Sequence, residues 1–303
     1  MRAPSRTHAA RDPRALESLS HAQMVDRRMP YPPILAWLLA TRVLTVADLR
    51  TIGWPDNPRR TTHDHGIAQA LRTQLIEPVD AHGTVFQLGR RGAALLHAAG
   101  VARARYRPAP APRTVGGLVL FSQLAVALAT ELRTYPGCTA LDVRAAAFSG
   151  DLVRPDGTII LHWAATADAL SPQPRPALYP APIGDPADTC LLAVEIDSGT
   201  EYTDALAQRV QRWHTYRHFP GTSALALPAR VLWVTTGGPR RLATLQTVWQ
   251  TGTTLPALFI TRNGLQADTP GSLRPLTAIW YDATRRAVPG LAAFAAPTST
   301  GAH

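Results

Sequence analysis

The chain has 303 residues and a formal net charge of +10, and all 31 basic residues are arginine, because it contains no lysine. That length leaves room for two domains, each able to bury a core, and the missing lysine excludes any lysine general base or Schiff-base nucleophile. The two cysteines, Cys138 and Cys190, have no metal-ligand spacing, which argues against a disulfide framework or a zinc finger and reads them as buried and inert.

Met1 to Arg28 lacks the apolar centre of a signal peptide, and no run of about 18 apolar residues is read as spanning a membrane, so a soluble cytoplasmic protein is expected. Charge is unevenly spread. Residues 1–115 hold 17 arginines against 8 acidic residues, whereas residues 116–303 hold 14 against 13. A basic first third beside a near-neutral remainder fits a nucleic-acid-binding module attached to something else, although a basic surface can also serve an acidic protein.

Residues 1–29 are polar and arginine-rich without periodicity, as in a flexible basic arm. From Pro30 the pattern tightens. Ile34, Leu35, Trp37, Leu38 and Leu39 predict a first helix. Leu44 leads into a capped second helix over Thr45-Val46-Ala47-Asp48-Leu49, and Trp54-Pro55-Asp56-Asn57-Pro58 breaks the chain. A third helix begins near Arg59 or Thr61. Its apolar positions Ile67, Leu71 and Leu75 recur every four residues and leave Thr61, Thr62, His65, Gln69 and Arg72 towards solvent. His63 and His65 lie two apart, about 200° around a helix, and so do not ligate one ion together.

Ile76 to Val79, a tip at Asp80-Ala81-His82-Gly83, and Thr84 to Leu88 predict a β-hairpin, and a last helix opens at Gly89. This order, with the phrase FQLGRRGAALL, resembles a winged helix-turn-helix over residues 30–100. By that resemblance the third helix enters the major groove. Arg59, Arg60, Thr61, Thr62, His63, His65, Gln69 and Arg72 then face duplex DNA, and Arg90 and Arg91 take phosphates near the wing. Such modules also dock proteins.

Residues 101–115, VARARYRPAPAPRTV, form a semi-rigid basic linker and mark a domain boundary. Gly117 to Tyr135 is an apolar helix with a single acidic residue, Glu131. Strand candidates follow at Ala140 to Phe148, Leu152 to Arg154 and Thr158 to Trp163, with Pro155-Asp156-Gly157 readable as a plain turn. A proline-rich loop covers residues 171–188. Further strands are expected at Ala229 to Thr235, Ala257 to Thr261 and Ala278 to Tyr281, with a helix over Pro239 to Trp249, and residues 286–303 form a flexible tail. The order predicts an α/β sheet of mixed direction.

The most informative stretch is LLAVEIDSGTEYTDALAQRVQRWHTYR, residues 191–217. Strand alternation puts Leu191, Ala193, Glu195 and Asp197 on one side, so two carboxylates point the same way and call for a metal or an arginine. Ser198 and Glu201 have capping-box spacing, with Thr200 as the rival cap. In the helix beyond, Tyr202, Leu206, Arg209, Trp213 and Tyr216 share a stripe, which sends Arg209 back towards Glu195, Asp197 or Glu201. A purely structural ion-pair cluster and a reactive site are both open.

Arg154-Pro155-Asp156, Val194-Glu195-Ile196-Asp197, Gly199-Thr200-Glu201 and the helix with Arg209 and Tyr216 resemble the replication-relaxation family of plasmid and mobile-element proteins, over roughly residues 30–285. The resemblance implies a restriction-endonuclease-like PD-(D/E)XK domain over residues 116–285, a mixed sheet flanked by helices. In it Asp156, Glu195 and Glu131 hold Mg²⁺ or Mn²⁺. Asp156, Glu195, Asp197 and Arg209 then form the catalytic set. The lysine position of the motif is Asp197, and Arg209 stays protonated, so no side chain there can act as the usual base. The implied function is a plasmid or mobile-element protein acting on double-stranded DNA in replication, relaxation or mobilisation, with a replication or transfer enzyme as a further partner. Three forms stay open: a nuclease-like domain that only binds, an active metal-dependent endonuclease or nickase, and a winged-helix transcription regulator.

Overall fold

A computed structural model describes residues 32–52, 62–98, 101, 104–132, 138–145, 153–163, 189–219, 228–266 and 273–295. The expected basic arm, the break at 54–58 and the 171–188 loop lie outside the described residues. The chain forms a mixed α/β structure with one three-stranded and one seven-stranded sheet among the described residues.

The first unit runs α1 (Pro32–Thr41), β1 (Leu44–Thr45), α2 (Val46–Ile52), α3 (Thr62–Arg72), β2 (Ile76–Pro78), β3 (Val85–Leu88) and α4 (Arg90–Ala98). Helix α2 starts with a reciprocal cap: the Thr45 N–H donates to Asp48 Oδ2 at 2.8 Å and the Asp48 N–H to Thr45 Oγ1 at 3.1 Å. The short β1 was not expected. It pairs antiparallel with β3, which pairs with β2, so the strand order is β1-β3-β2. Helix α3 stops at Arg72 because Gln74 takes a left-handed φ of 56°. Leu75 is therefore buried beyond the helix rather than on its stripe, and the Leu75 N–H closes the end on the Ala70 carbonyl at 2.9 Å. The hairpin tip is tied by Asp80, whose Oδ1 accepts the Thr84 and Val85 N–H groups, both at 2.8 Å.

The described part of the segment expected as a semi-rigid linker is docked on the first unit. The Gln87 side chain donates to the Arg107 carbonyl, Tyr106 donates to Glu77 at 3.2 Å, and the Arg90 guanidinium lies 5.0 Å over the Tyr106 ring. Helix α5 (Pro112–Leu132) then starts inside the expected linker, five residues before Gly117. It is long and apolar enough to cross a membrane by length and composition, which corrects the reading that no such run exists. Its apolar residues have a partner in this fold: Leu120, Phe121, Leu124 and Leu128 are buried, and the helix packs on α1, α2, β1, β4 and β6. One continuous core therefore joins the first unit to the large sheet. Ser122 of α5 also reaches Asp48 of α2 at 3.4 Å.

The large sheet contains β4 (Cys138–Ala145), β5 (Gly157–Trp163), β6 (Thr189–Asp197), β7 (Arg230–Thr235), β8 (Ala257–Thr261), β9 (Ile279–Asp282) and β10 (Ala287–Pro289), in the order β10-β9-β8-β7-β6-β5-β4. Strands β6, β7 and β8 are parallel and the rest antiparallel. The described residues of the Leu152–Arg154 candidate form no strand. Helices α6 (Thr203–Arg217) and α7 (Pro239–Gly252) cross over between the parallel strands and cover the face opposite α5. Short α8 (Arg262–Leu265) follows β8. The expected tail is partly an element of the fold. In α9 (Gly290–Phe294), Phe294 is fully buried against Trp280, and Arg230 Nη1 donates to the Ala293 and Ala295 carbonyls at 2.9 and 3.0 Å.

Gly157 follows the Pro-Asp pair for a packing reason. A Cβ built there would meet the Phe121 ring at 2.1 Å, so only glycine lets α5 approach the sheet so closely.

Candidate functional site: two carboxylates, each with its own arginine

The alternation along β6 is as the sequence requires. Leu192, Val194 and Ile196 enter the core under α5, and Ala193 enters the aromatic cluster under α6 and α7. Glu195 and Asp197 share that second face. Glu195 is only 1% exposed. Its Oε2 accepts from Arg209 Nη2, and its Oε1 accepts from Trp213 Nε1 at 2.7 Å. Arg209 Nη2 also donates to Asp156 Oδ2 at 2.9 Å, and its Nη1 to Glu201 Oε1 at 3.4 Å. The same guanidinium lies 5.0 Å over the Trp233 ring. Asp156 Oδ2 further accepts the Ile196 N–H at 2.7 Å, which ties the start of β5 to β6.

Asp197 has separate partners. Its Oδ1 accepts Arg241 Nη2 at 2.7 Å. Its Oδ2 accepts Arg241 Nε at 3.0 Å and Thr235 Oγ1 at 2.6 Å. This is a two-pronged arginine clamp closed by a hydroxyl. Of the three partners expected for Arg209, Glu195 and Glu201 are found; Asp197 is not, and Asp156 takes its place. The capping box also does not form: Ser198 Oγ pairs with Thr200 Oγ1 at 2.8 Å, Tyr202 is the N-cap without a side-chain bond, and Tyr202 is 86% exposed rather than on the buried stripe.

Burial pushes the Glu195 carboxyl up to about 7 from an ordinary 4.5, against the pull of Arg209 and with a further push from the Asp156 charge. Burial also opposes the charge on Arg209, but Glu195, Asp156 and Glu201 together outweigh it and hold the guanidinium above its ordinary value. For Asp197 burial acts upward, and the bonds from Arg241 and Thr235 outweigh it, leaving the carboxyl below the usual range.

A divalent ion at Asp156 and Glu195 would need open carboxylate oxygens. Both Glu195 oxygens already accept N–H groups, Asp156 Oδ2 accepts two, and the Arg209 guanidinium bridges the two residues where the ion would sit. Glu131 does not join them. It lies on α5, across the sheet, and its carboxylate accepts the Leu276 N–H at 2.7 Å. Among the described residues no three His, Cys, Asp or Glu side chains are grouped so that they could hold a metal ion. This arrangement does not fit a bound Mg²⁺ or Mn²⁺, and Asp197, clamped at both oxygens, is not placed to orient a water.

Of the residues expected to meet DNA, Arg59, Arg60 and Thr61 lie outside the described residues. Thr62, His63 and His65 are in α3, their side chains outside the described set. Gln69, Arg72, Arg90 and Arg91 are exposed. Sequence reasoning missed Arg241, Thr235 and Trp233 as site residues and took Trp213 only as an apolar stripe position. Thr235 stands directly across from Asp197 and Trp233 across from Glu195 in the parallel β6–β7 pairing, which no local pattern announces. Compared with known proteins, the chain matches no family model, no curated protein and no solved structure.

Proposed function

We propose that the protein binds double-stranded DNA through a winged helix-turn-helix in its first third, and that its second part is a PD-(D/E)XK nuclease-like domain that holds DNA or a partner without cutting. The context is plasmid or mobile-element replication, relaxation or mobilisation, with a replication or transfer enzyme as the acting partner. The observation that carries the binding reading is the first unit itself. Helix α3 precedes a hairpin whose inner strand β3 pairs with β1, and exposed Arg72, Arg90 and Arg91 belong to a region with 17 arginines against 8 acidic residues. The non-cutting reading rests on Arg209, which neutralises Asp156 and Glu195 with a cation that cannot lower the pKa of a water as a metal does.

The test is supercoiled plasmid incubated with the full chain in Mg²⁺ and in Mn²⁺, beside Asp156→Ala. Retarded migration that salt reverses, with the plasmid still supercoiled, is the expected result. Nicking or linearisation that Asp156→Ala abolishes would overturn the non-cutting reading, and migration unaltered at low salt would overturn DNA binding.

A further inference from the structure

Where α1 ends, three arginines line one notch with no counter-charge among the described residues. Arg42 follows the last residue of α1; Arg105 and Arg107 come from the segment docked on the small sheet. Together with Leu38, Gln87 and Leu88 they line a notch of about 20 Å³ to which no described carboxylate contributes. That volume holds one water-sized group, the size of a single phosphate oxygen.

Arg42 is in an unusual state. Its φ is 73°, the left-handed region where glycine is the inexpensive choice. Its Nε is buried with no hydrogen-bond partner among the described residues. Burial first, and then the neighbouring Arg107, press its guanidinium below the ordinary value. The Arg42 N–H closes the end of α1 on the Leu38 carbonyl at 2.9 Å, and Thr41 Oγ1 donates to the Trp37 carbonyl at 2.8 Å. Arg42 thus sits on left-handed backbone, with Arg107 repelling it and its Nε short of an acceptor among the described residues, and an oxyanion in the notch would supply both the acceptor and the counter-charge.

We infer that Arg42, Arg105 and Arg107 form a receiving site for a phosphate group. Resting on the DNA-binding reading, that group is a backbone phosphate of the bound duplex, anchored apart from α3 and the hairpin tip. Arg42 does not belong to the residues expected to meet DNA, and Arg105 and Arg107 come from the stretch expected as a basic linker.

Two variants of the full chain test it: Arg42→Gly, which keeps the left-handed helix stop, and the double variant Arg105→Gln/Arg107→Gln. Thermal melting is read in inorganic phosphate against chloride at equal ionic strength, and duplex affinity by fluorescence anisotropy across a salt series. In the wild type, phosphate raises the melting temperature saturably; in both variants the rise is lost, although Arg42→Gly melts no lower than wild type in chloride. The slope of log affinity against log salt falls by about 1 for Arg42→Gly and about 2 for the double variant. Unchanged phosphate response and unchanged slope in both variants would overturn the site while leaving DNA binding intact. A wild type that takes phosphate through these arginines but binds no duplex would keep the site as one for free phosphate and remove the DNA reading. A wild type that responds to neither would remove both.

Discussion

Replacing Glu195 by glutamine tests the balance at the centre of the molecule. The carboxyl is 1% exposed and its folded-state value is raised from 4.5 to about 7. A raised acid favours the protonated form in the folded state. Its stabilisation is therefore fully present below pH 4.5 and is lost as pH rises through 7. At about 1.4 kcal/mol per pH unit, that shift corresponds to about 3 kcal/mol lost by pH 8, a large share of a domain stability of about 5 to 15 kcal/mol. Glutamine has the shape of the protonated acid and does not titrate. Urea unfolding at pH 4.5, 6, 7 and 8, followed by tryptophan fluorescence, should show Glu195→Gln gaining on the wild type by about 3 kcal/mol across the series. Asp48, Glu131 and Asp197 titrate in both proteins and drop out of the difference to first order. A constant gap, or a wild type that gains on the variant as pH rises, would show that Arg209 keeps Glu195 ionised throughout and would refute the reasoning.

Arg209→Met removes the cation from between Glu195 and Asp156 and should cost about 3 to 5 kcal/mol at pH 8. Adding Glu195→Gln should recover much of it, and strictly additive losses in that double-mutant cycle would contradict the direct pairing. Gly157→Ala forces a methyl into the Phe121 ring and should destabilise by about 1 to 3 kcal/mol, with Phe121→Leu in the same chain giving partial rescue by chemical denaturation. Millimolar Mn²⁺ should leave the wild-type melting temperature unchanged, because the carboxylates are already occupied by arginine; a saturable rise that Glu195→Gln removes would count against the arginine-filled site.

Much of the scaffold was legible because it depends on short-range rules. The Thr45–Asp48 cap, the hairpin after α3, the β6 strand with Glu195 and Asp197 on one side, and the return of Arg209 to Glu195 all follow from neighbours within about 14 positions. The helix ends were less legible. Gln74 stops α3 before Leu75, and α5 begins at Pro112, a residue type suited to a first helical turn, inside a stretch whose composition reads as linker. The expected tail differs because β10 pairs with β9 and α9 is held by Trp280 and by Arg230, the latter 63 to 65 positions earlier in the chain.

The sequence by itself determined that two carboxylates on β6 share a face, that the following helix carries an arginine towards them, and that the basic charge is concentrated in the first third. Only the tertiary structure decided which arginine answers which carboxylate. The parallel β6–β7 register sets Thr235 beside Asp197, and α7 brings Arg241 onto it. The Ile196 N–H fixes Asp156 next to Glu195, leaving Arg209 to bridge that pair. Strand alternation and helical periodicity act over a few residues and can be read along the chain, whereas the pairing of buried charges depends on distances between strands that the chain order does not specify.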